Sequence, residues 1–380
     1  MVSQRAADVT PFMAMDVLER ANERDDVIHL EVGEPDFSPP DRVIETAVDS
    51  LRAGHTNYTA ARGKPALRRA IATYYDRTYG VAVDPNRVVV TPGTSPGLFL
   101  AMAALVDSGD EVVLTDPHYA CYPNFVRVAD GEVTTVPLDA SEGFQPRVDD
   151  FAAAVGPDTR ALLLNSPANP TGAVMDGETL SGLVDVAADA GATPVVDEVY
   201  HGLSYDATEH TVLEYTDDAF VLDGFSKRFA MTGWRLGWVI VPPDYVEAVN
   251  RLAQNVLICA PNFVQDAGVA ALETPADRLD EVRATYRERR DLLVDAVEDW
   301  GIDLGYTPQG AYYLLADVSD LPGDALDVAD LFLEAGVAVT PGVDFGDEAA
   351  EYLRFSYATD ADAIETAIDR IDDLLATVGR

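Results

Sequence analysis

Between residues 87 and 241, short apolar runs alternate with longer stretches in which apolar residues recur at helical spacing. The runs predict strands over 87–91, 111–115, 132–136, 161–165, 193–196, 219–222 and 236–241. The amphipathic stretches predict helices over 95–106, 148–155, 177–190 and 244–252. Short strands, apolar throughout and separated by helices, belong to a mostly parallel sheet covered on both faces. Such sheets bind ligands beyond the carboxyl ends of their strands, so the residues following each run are where chemistry is expected.

The flanks read differently. Before the alternation, 12–23 predicts a helix, 27–31 a strand, and 41–53 and 65–79 two more helices. After it come a long charged helix over 276–300, strands over 312–316, 337–340 and 353–357, and helices over 325–335 and 361–378. That pattern suits a smaller α+β unit completed by the N-terminal segment. A chain of 380 residues exceeds one ordinary core, so more than one domain is expected. The expected division is an N-terminal arm with part of the small domain over 1–45, a large domain over 46–255, and a small C-terminal domain over 256–380.

The loop after the sixth run is the most distinctive stretch: Ser226-Lys227, then Met231-Thr232-Gly233-Trp234-Arg235. The chain has only two lysines, Lys64 and Lys227; arginine serves nearly everywhere else. Arginine stays protonated and cannot act as a primary amine, whereas a desolvated lysine can form a Schiff base with a carbonyl. Arg235 offers a rigid fork for a phosphate, and Ser226 a hydroxyl beside the amine. An amine that takes an aldehyde, next to groups that hold a phosphate, describes a site for pyridoxal phosphate. The other strand ends agree. Thr91-Pro92-Gly93-Thr94-Ser95 runs into a helix whose N-terminus favours an anion. Asp197 ends an apolar run and needs a positive partner. Arg354, among the apolar residues of 352–357, needs an anionic one.

The stretch 223–237 resembles the lysine motif of the class I/II aminotransferases, the fold-type I pyridoxal phosphate enzymes of the aspartate aminotransferase superfamily. Gly224 departs from it where many relatives carry a serine. The resemblance runs from about Ile28 to Tyr357 with its motifs in order. It implies an α/β fold with a large seven-stranded, mostly parallel sheet and a small α+β domain. It implies Lys227 as the catalytic amine; Thr94, Ser95, Ser226 and Arg235 on the phosphate; Tyr119 stacked on the cofactor ring; and Asp197 on the ring nitrogen. Asn169 and Tyr200 fall on the ring hydroxyl, and Gly33, Asn169 and Arg354 on the substrate, with Arg354 pairing its carboxylate. Tyr58 matches a tyrosine that reaches the phosphate of the neighbouring subunit, so a homodimer with shared sites is implied. Asn169–Pro170 is expected to be cis, and Phe12 and Met13 are candidates to cover the pocket mouth.

The reaction so implied is a ping-pong transfer between an L-amino acid and a 2-oxo acid. Aspartate, alanine and aromatic donors are all in view. The lysine that some aspartate-specific relatives carry at the Ser95 position is absent, which counts against an acidic donor. The rival is another reaction on the same fold, a C–S β-lyase, decarboxylase or synthase. A nicotinamide dehydrogenase is disfavoured by the lack of Gly-x-Gly-x-x-Gly after a strand, and a DNA-binding regulator by the lack of spare length or a basic patch.

Charge sharpens this picture. Sixty-six acids against 26 basic residues give a net charge of −40, dispersed along the chain. Such a surface repels nucleic acid and anionic lipid and, with so few lysines, suggests adaptation to high salt, where self-repulsion is screened. Against it, Arg235 and Arg354 become specific wells for anions. No run is long enough for a membrane span, the N-terminus lacks the pattern of a signal peptide, and five scattered histidines show no zinc spacing. Cys121 and Cys259 are expected to be buried free thiols. The expectation is a cytoplasmic enzyme without metal.

Overall fold

The computed structural model describes residues 2–378; Met1, Gly379 and Arg380, the outermost residues of the expected domain ranges, lie outside it. In chain order come α1 (Gln4–Ala7), α2 (Met13–Asn22), β1 (Ile28–His29), α3 (Asp41–Arg52) and α4 (Pro65–Tyr79). The alternating region follows as β2 (Val88–Thr91), α5 (Thr94–Leu105), β3 (Glu111–Asp116), α6 (Tyr122–Val128), β4 (Glu132–Pro137), α7 (Val148–Ala154), β5 (Thr159–Asn165), α8 (Gly177–Ala190), β6 (Thr193–Asp197), β7 (Phe220–Gly224) and β8 (Gly237–Ile240). The remainder holds α9 (Val246–Val256), α10 (Asn262–Leu272), α11 (Ala276–Asp299), β9 (Tyr313–Asp317), α12 (Ala325–Glu334), β10 (Val337–Ala338), β11 (Thr340–Pro341), β12 (Tyr352–Ser356) and α13 (Ala361–Val378).

The seven strands β2 to β8 form one sheet in the order β2-β8-β7-β6-β5-β3-β4. Every neighbour pair is parallel except those made by β8, which runs against both β2 and β7. The all-buried pattern of β2, β7 and β8 explains their continuous apolar sequence: one core packs α3, α4, α8 and α10 on one face, another packs α5, α6 and α9 on the opposite face. The edge strand β4 is exposed or half-exposed at all but one position. A third core joins β9, β12, α11, α12 and α13, with β1 paired to β10.

The structure departs from expectation in several places. The strand expected over 337–340 is two, β10 and β11, which belong to different sheets. Helices α1, α6 and α10 had no counterpart in the sequence reading. The core of the large sheet draws on helices near both ends of the large domain. Val43 and Ala47 of α3, and Val264, Ala267, Ala271 and Leu272 of α10, all enter the core of the large sheet. Cys121 and Cys259 are free but half-buried rather than buried.

Candidate active site

The carboxyl ends of β2, β3, β5, β6 and β7 converge on a cleft of about 240 Å³, closed from the other side by the β12 strand, the Glu31–Gly33 segment and the start of α2. It is lined by eleven of the twelve residues singled out from the sequence: Gly33, Thr94, Ser95, Tyr119, Asn169, Asp197, Tyr200, Ser226, Lys227, Arg235 and Arg354. Tyr58 is not among them and is 83% exposed.

Lys227 lies in the loop leaving β7, and its Nζ donates to the Gly33 carbonyl at 2.8 Å. That carbonyl also accepts from Tyr312 Oη at 2.9 Å. Glycine is required here: a Cβ would fall 1.6 Å from Tyr313 Oη. Directly after Lys227, the fully buried Arg228 pairs with Asp223 at 2.6 Å and anchors the loop to the end of β7.

The N-terminus of α5 faces the same cleft without a side-chain cap, leaving its first N–H groups to attract an anion. Arg235 approaches it, tethered by a 2.8 Å bond from its Nη1 to the Thr232 carbonyl. The approach depends on Gly93, whose Cβ would stand 2.4 Å from Arg235 Nη2. Ser226 is buried and lines this corner. Gly224, where a serine was the family expectation, lies against Gly237 and Thr94, at 3.2 Å for a Cβ.

Asp197, at the end of β6, is buried. Burial raises its carboxyl to about 6, against the pull of hydrogen bonds from Tyr122 Oη and the Val199 N–H and the charge of Lys227. Those bonds measure 2.9 and 3.2 Å and come from neutral donors. Asn165 holds two neighbours at once: its Nδ2 donates to the Asp197 carbonyl at 2.8 Å, and its Oδ1 accepts from the Asn169 N–H at 2.8 Å. The Asn169–Pro170 bond is cis, as expected.

Arg354 is buried on β12 between the rings of Tyr313 and Phe345, 4.5 and 4.7 Å from its guanidinium carbon. Its hydrogen-bond partners are all neutral: Asn169 Oδ1 at 2.9 Å, Thr340 Oγ1 at 3.2 Å and the Glu31 carbonyl. A buried cation without a carboxylate partner is suited to an incoming one. The mouth is lined by Phe12, edge-on to Tyr119 at 5.9 Å, and by Met15. Met13, the other expected cover, is not in the lining. Sequence reasoning also missed Tyr122, Asn165 and Tyr313, of which the first two lie three and four residues from the expected Tyr119 and Asn169.

The residues present fit pyridoxal phosphate. An uncapped helix end with an arginine fork suits its phosphate, an amine its aldehyde, and a buried carboxylate met only by neutral donors its ring nitrogen. Among the described residues no cluster of His, Cys, Asp or Glu is placed to hold a metal, and no helix is long and apolar enough to cross a membrane.

A sequence model of the family described as aminotransferase class I and II matches residues 25–371. A probable aspartate aminotransferase of Methanocaldococcus jannaschii is 34% identical, over 98% of this chain and 100% of its own length. A valine–pyruvate aminotransferase of Mycobacterium tuberculosis is 38% identical over 97% of both. The solved structure of aspartate aminotransferase from Thermus thermophilus with maleate superposes with a TM-score of 0.95 at 35% identity, covering 99% of this chain and 100% of that one.

Proposed function

The chain belongs to the aminotransferase class I and II family and is a pyridoxal phosphate-dependent transaminase, and from that premise we propose how its own residues divide the work. The observation that carries the proposal is the convergence on one cleft of Lys227, the uncapped α5 end with Arg235, the buried Asp197, and an Arg354 whose partners are all neutral. Thr94, Ser95, Ser226 and Arg235 hold the phosphate. Asp197 keeps the ring nitrogen protonated, held in place by Tyr122 and Asn165. Tyr119, Asn169 and Tyr200, which line the same cleft, would hold the ring and its hydroxyl. The bound cofactor supplies an aldehyde for amine exchange and a ring that accepts the electron pair left on the substrate α-carbon.

Arg354 docks the substrate carboxylate, with Asn169 beside it, and so orients the α-hydrogen. Lys227 Nζ is the amine that would hold the cofactor's aldehyde. As a free amine, Nζ would take the proton from the substrate α-carbon as general base and return it as general acid. Phe12 and Tyr119 exclude water from the cleft. The donor leaves as a 2-oxo acid before the acceptor binds.

The donor side chain is apolar or aromatic. The cations of the lining are Lys227, Arg235 and Arg354, and each already has a task. The apolar part of the lining includes Phe12, Met15, Leu98 and Phe125. A panel of donors ranked by kcat/KM tests this; preference for aspartate or glutamate overturns it. Borohydride reduction of the holoenzyme followed by peptide mass mapping tests the amine: the label belongs on Lys227, and a Lys227→Ala variant with unaltered turnover would refute the assignment.

The working unit is a homodimer in which Tyr58 crosses to the neighbouring site. That fits an aromatic side chain 83% exposed in the single chain. The enzyme acts in the cytoplasm of a salt-adapted cell, a reading supported by its net charge of −40 and two free cysteines.

A further inference from the structure

Helix α10 carries polar side chains at 262, 265 and 266, a spacing that gathers them on one face. All three are engaged by the loop between α3 and α4. Gln265 is fully buried, yet both of its polar atoms have partners. Its Oε1 accepts from the Lys64 backbone N–H at 2.7 Å, and its Nε2 donates to Thr59 Oγ1 at 3.0 Å and to the Ala260 carbonyl at 2.9 Å. Asp266 accepts from Lys64 Nζ at 2.7 Å and from Ser50 Oγ at 2.6 Å, and it lies 2.9 Å from His55 Nδ1. Asn262 Nδ2 reaches the Asn57 carbonyl at 3.1 Å. One of the two lysines of the chain is thus committed to this clasp, and the other is Lys227.

The clasp grips the residues on both sides of Tyr58 and leaves its side chain alone. Among the described residues Tyr58 has no hydrogen-bond partner, although the backbone N–H of Thr59 meets Cys259 Sγ at 3.4 Å. The residue before that cysteine, Ile258, is 52% exposed and holds a φ of +67°, a conformation that β-branched residues rarely adopt. A buried, hydrogen-bonded network makes a loop rigid; here Gln265 and Asp266 are bonded through both of their polar side-chain atoms, while Asn262 Oδ1 has no partner among the described residues. Rigidity beneath an outward-facing aromatic has value when that aromatic must arrive at a fixed place.

Resting on the reading that Tyr58 reaches the neighbouring subunit, we propose that Gln265 and Asp266 are positioning residues for it. They set the height and direction at which its phenol enters the phosphate cradle of the other copy. α10 thereby ties the cofactor grip of one site to the core of its neighbour, since its opposite face carries Val264, Ala267 and Ala271.

The test follows cofactor release from holoenzyme after dilution, read from the visible absorbance of the bound cofactor. The proteins are wild type, Tyr58→Phe, Asp266→Asn, Gln265→Leu and the double variant Tyr58→Phe/Asp266→Asn. Pyridoxal, which lacks the phosphate, serves as the control ligand. Tyr58→Phe and Asp266→Asn should each speed release by about tenfold, the scale of one lost hydrogen bond to a charged group. The double variant should be no faster than Tyr58→Phe alone, and pyridoxal binding should not change. Wild-type release from the α10 variants, or effects that multiply with Tyr58→Phe, would overturn the inference and leave the shared-site reading standing. If Tyr58→Phe itself releases at the wild-type rate, that reading falls and takes the inference with it. Should Gln265→Leu unfold the chain, Asp266→Asn decides alone.

Discussion

Replacing Gly93 with alanine separates two consequences that most site mutations confound. Gly93 has φ +98° and ψ +171°, a region essentially confined to glycine, where strain costs on the order of 1–3 kcal/mol. The added Cβ would stand 2.4 Å from Arg235 Nη2 and 3.0 Å from its guanidinium carbon. The obstructing atoms are the far end of a flexible side chain, so the fork should swing away while the backbone stays. Losing a charged hydrogen bond to the phosphate costs about 1.5–3 kcal/mol, or roughly 10- to 150-fold in affinity. Cofactor affinity and thermal unfolding of the cofactor-free protein should therefore be measured together, in Gly93→Ala, Arg235→Ala and the double variant. The affinity loss of Gly93→Ala should vanish in the Arg235→Ala background, and the stability loss should persist. If Gly93→Ala weakens the cofactor equally in both backgrounds, the arginine is not what the glycine makes room for.

Asp197 gives a pH prediction with a definite sign. Burial lifts its carboxyl to about 6 in the cofactor-free protein, and a protonated carboxyl cannot balance a pyridinium charge. Cofactor affinity should fall as pH drops through about 6, and Asp197→Asn should lack that step while showing the one caused by the cofactor's own phosphate. The sign for folding follows as well. The folded state holds this proton more tightly than the unfolded chain, so its ionisation removes stability as pH rises from the ordinary carboxylate range to about 6. Arg354→Lys keeps the charge and loses the fork, so kcat/KM should fall by roughly 10- to 150-fold, mostly through KM; an unchanged KM would refute the carboxylate role. The unfolding temperature should climb with potassium chloride concentration, and full stability in dilute buffer would contradict salt adaptation.

The sheet was legible because its strands are buried on both faces and so read as uninterrupted apolar runs, as in Val88–Thr91 and Phe220–Gly224. The site was legible because its residues follow those runs directly. Helix α10 was not. Its Gln265, Ala267, Gly268, Ala270 and Ala271 are buried small or polar residues, so its core face does not read as an apolar stripe. Helix α6 is only seven residues long. The role of Tyr122 was hidden because its partner, Asp197, lies 75 positions away, a separation that only the folded sheet closes. The split of 337–340 escaped notice because both halves are buried, and burial alone does not say which sheet a strand joins.

The lone reversed strand, β8, returns immediately beside β7, with Gly224 opposite Gly237. Lys227 and Arg235 both hang from the span between those glycines, and the backbone at Gly93 crowds the same junction, 2.8 Å from where a Gly237 Cβ would be. Amine and fork are therefore stitched into one hairpin of fixed circumference. Lengthening or shortening that span by a single residue would shift one relative to the other, whereas the exposed rim around Gly156 could accept an insertion without disturbing either.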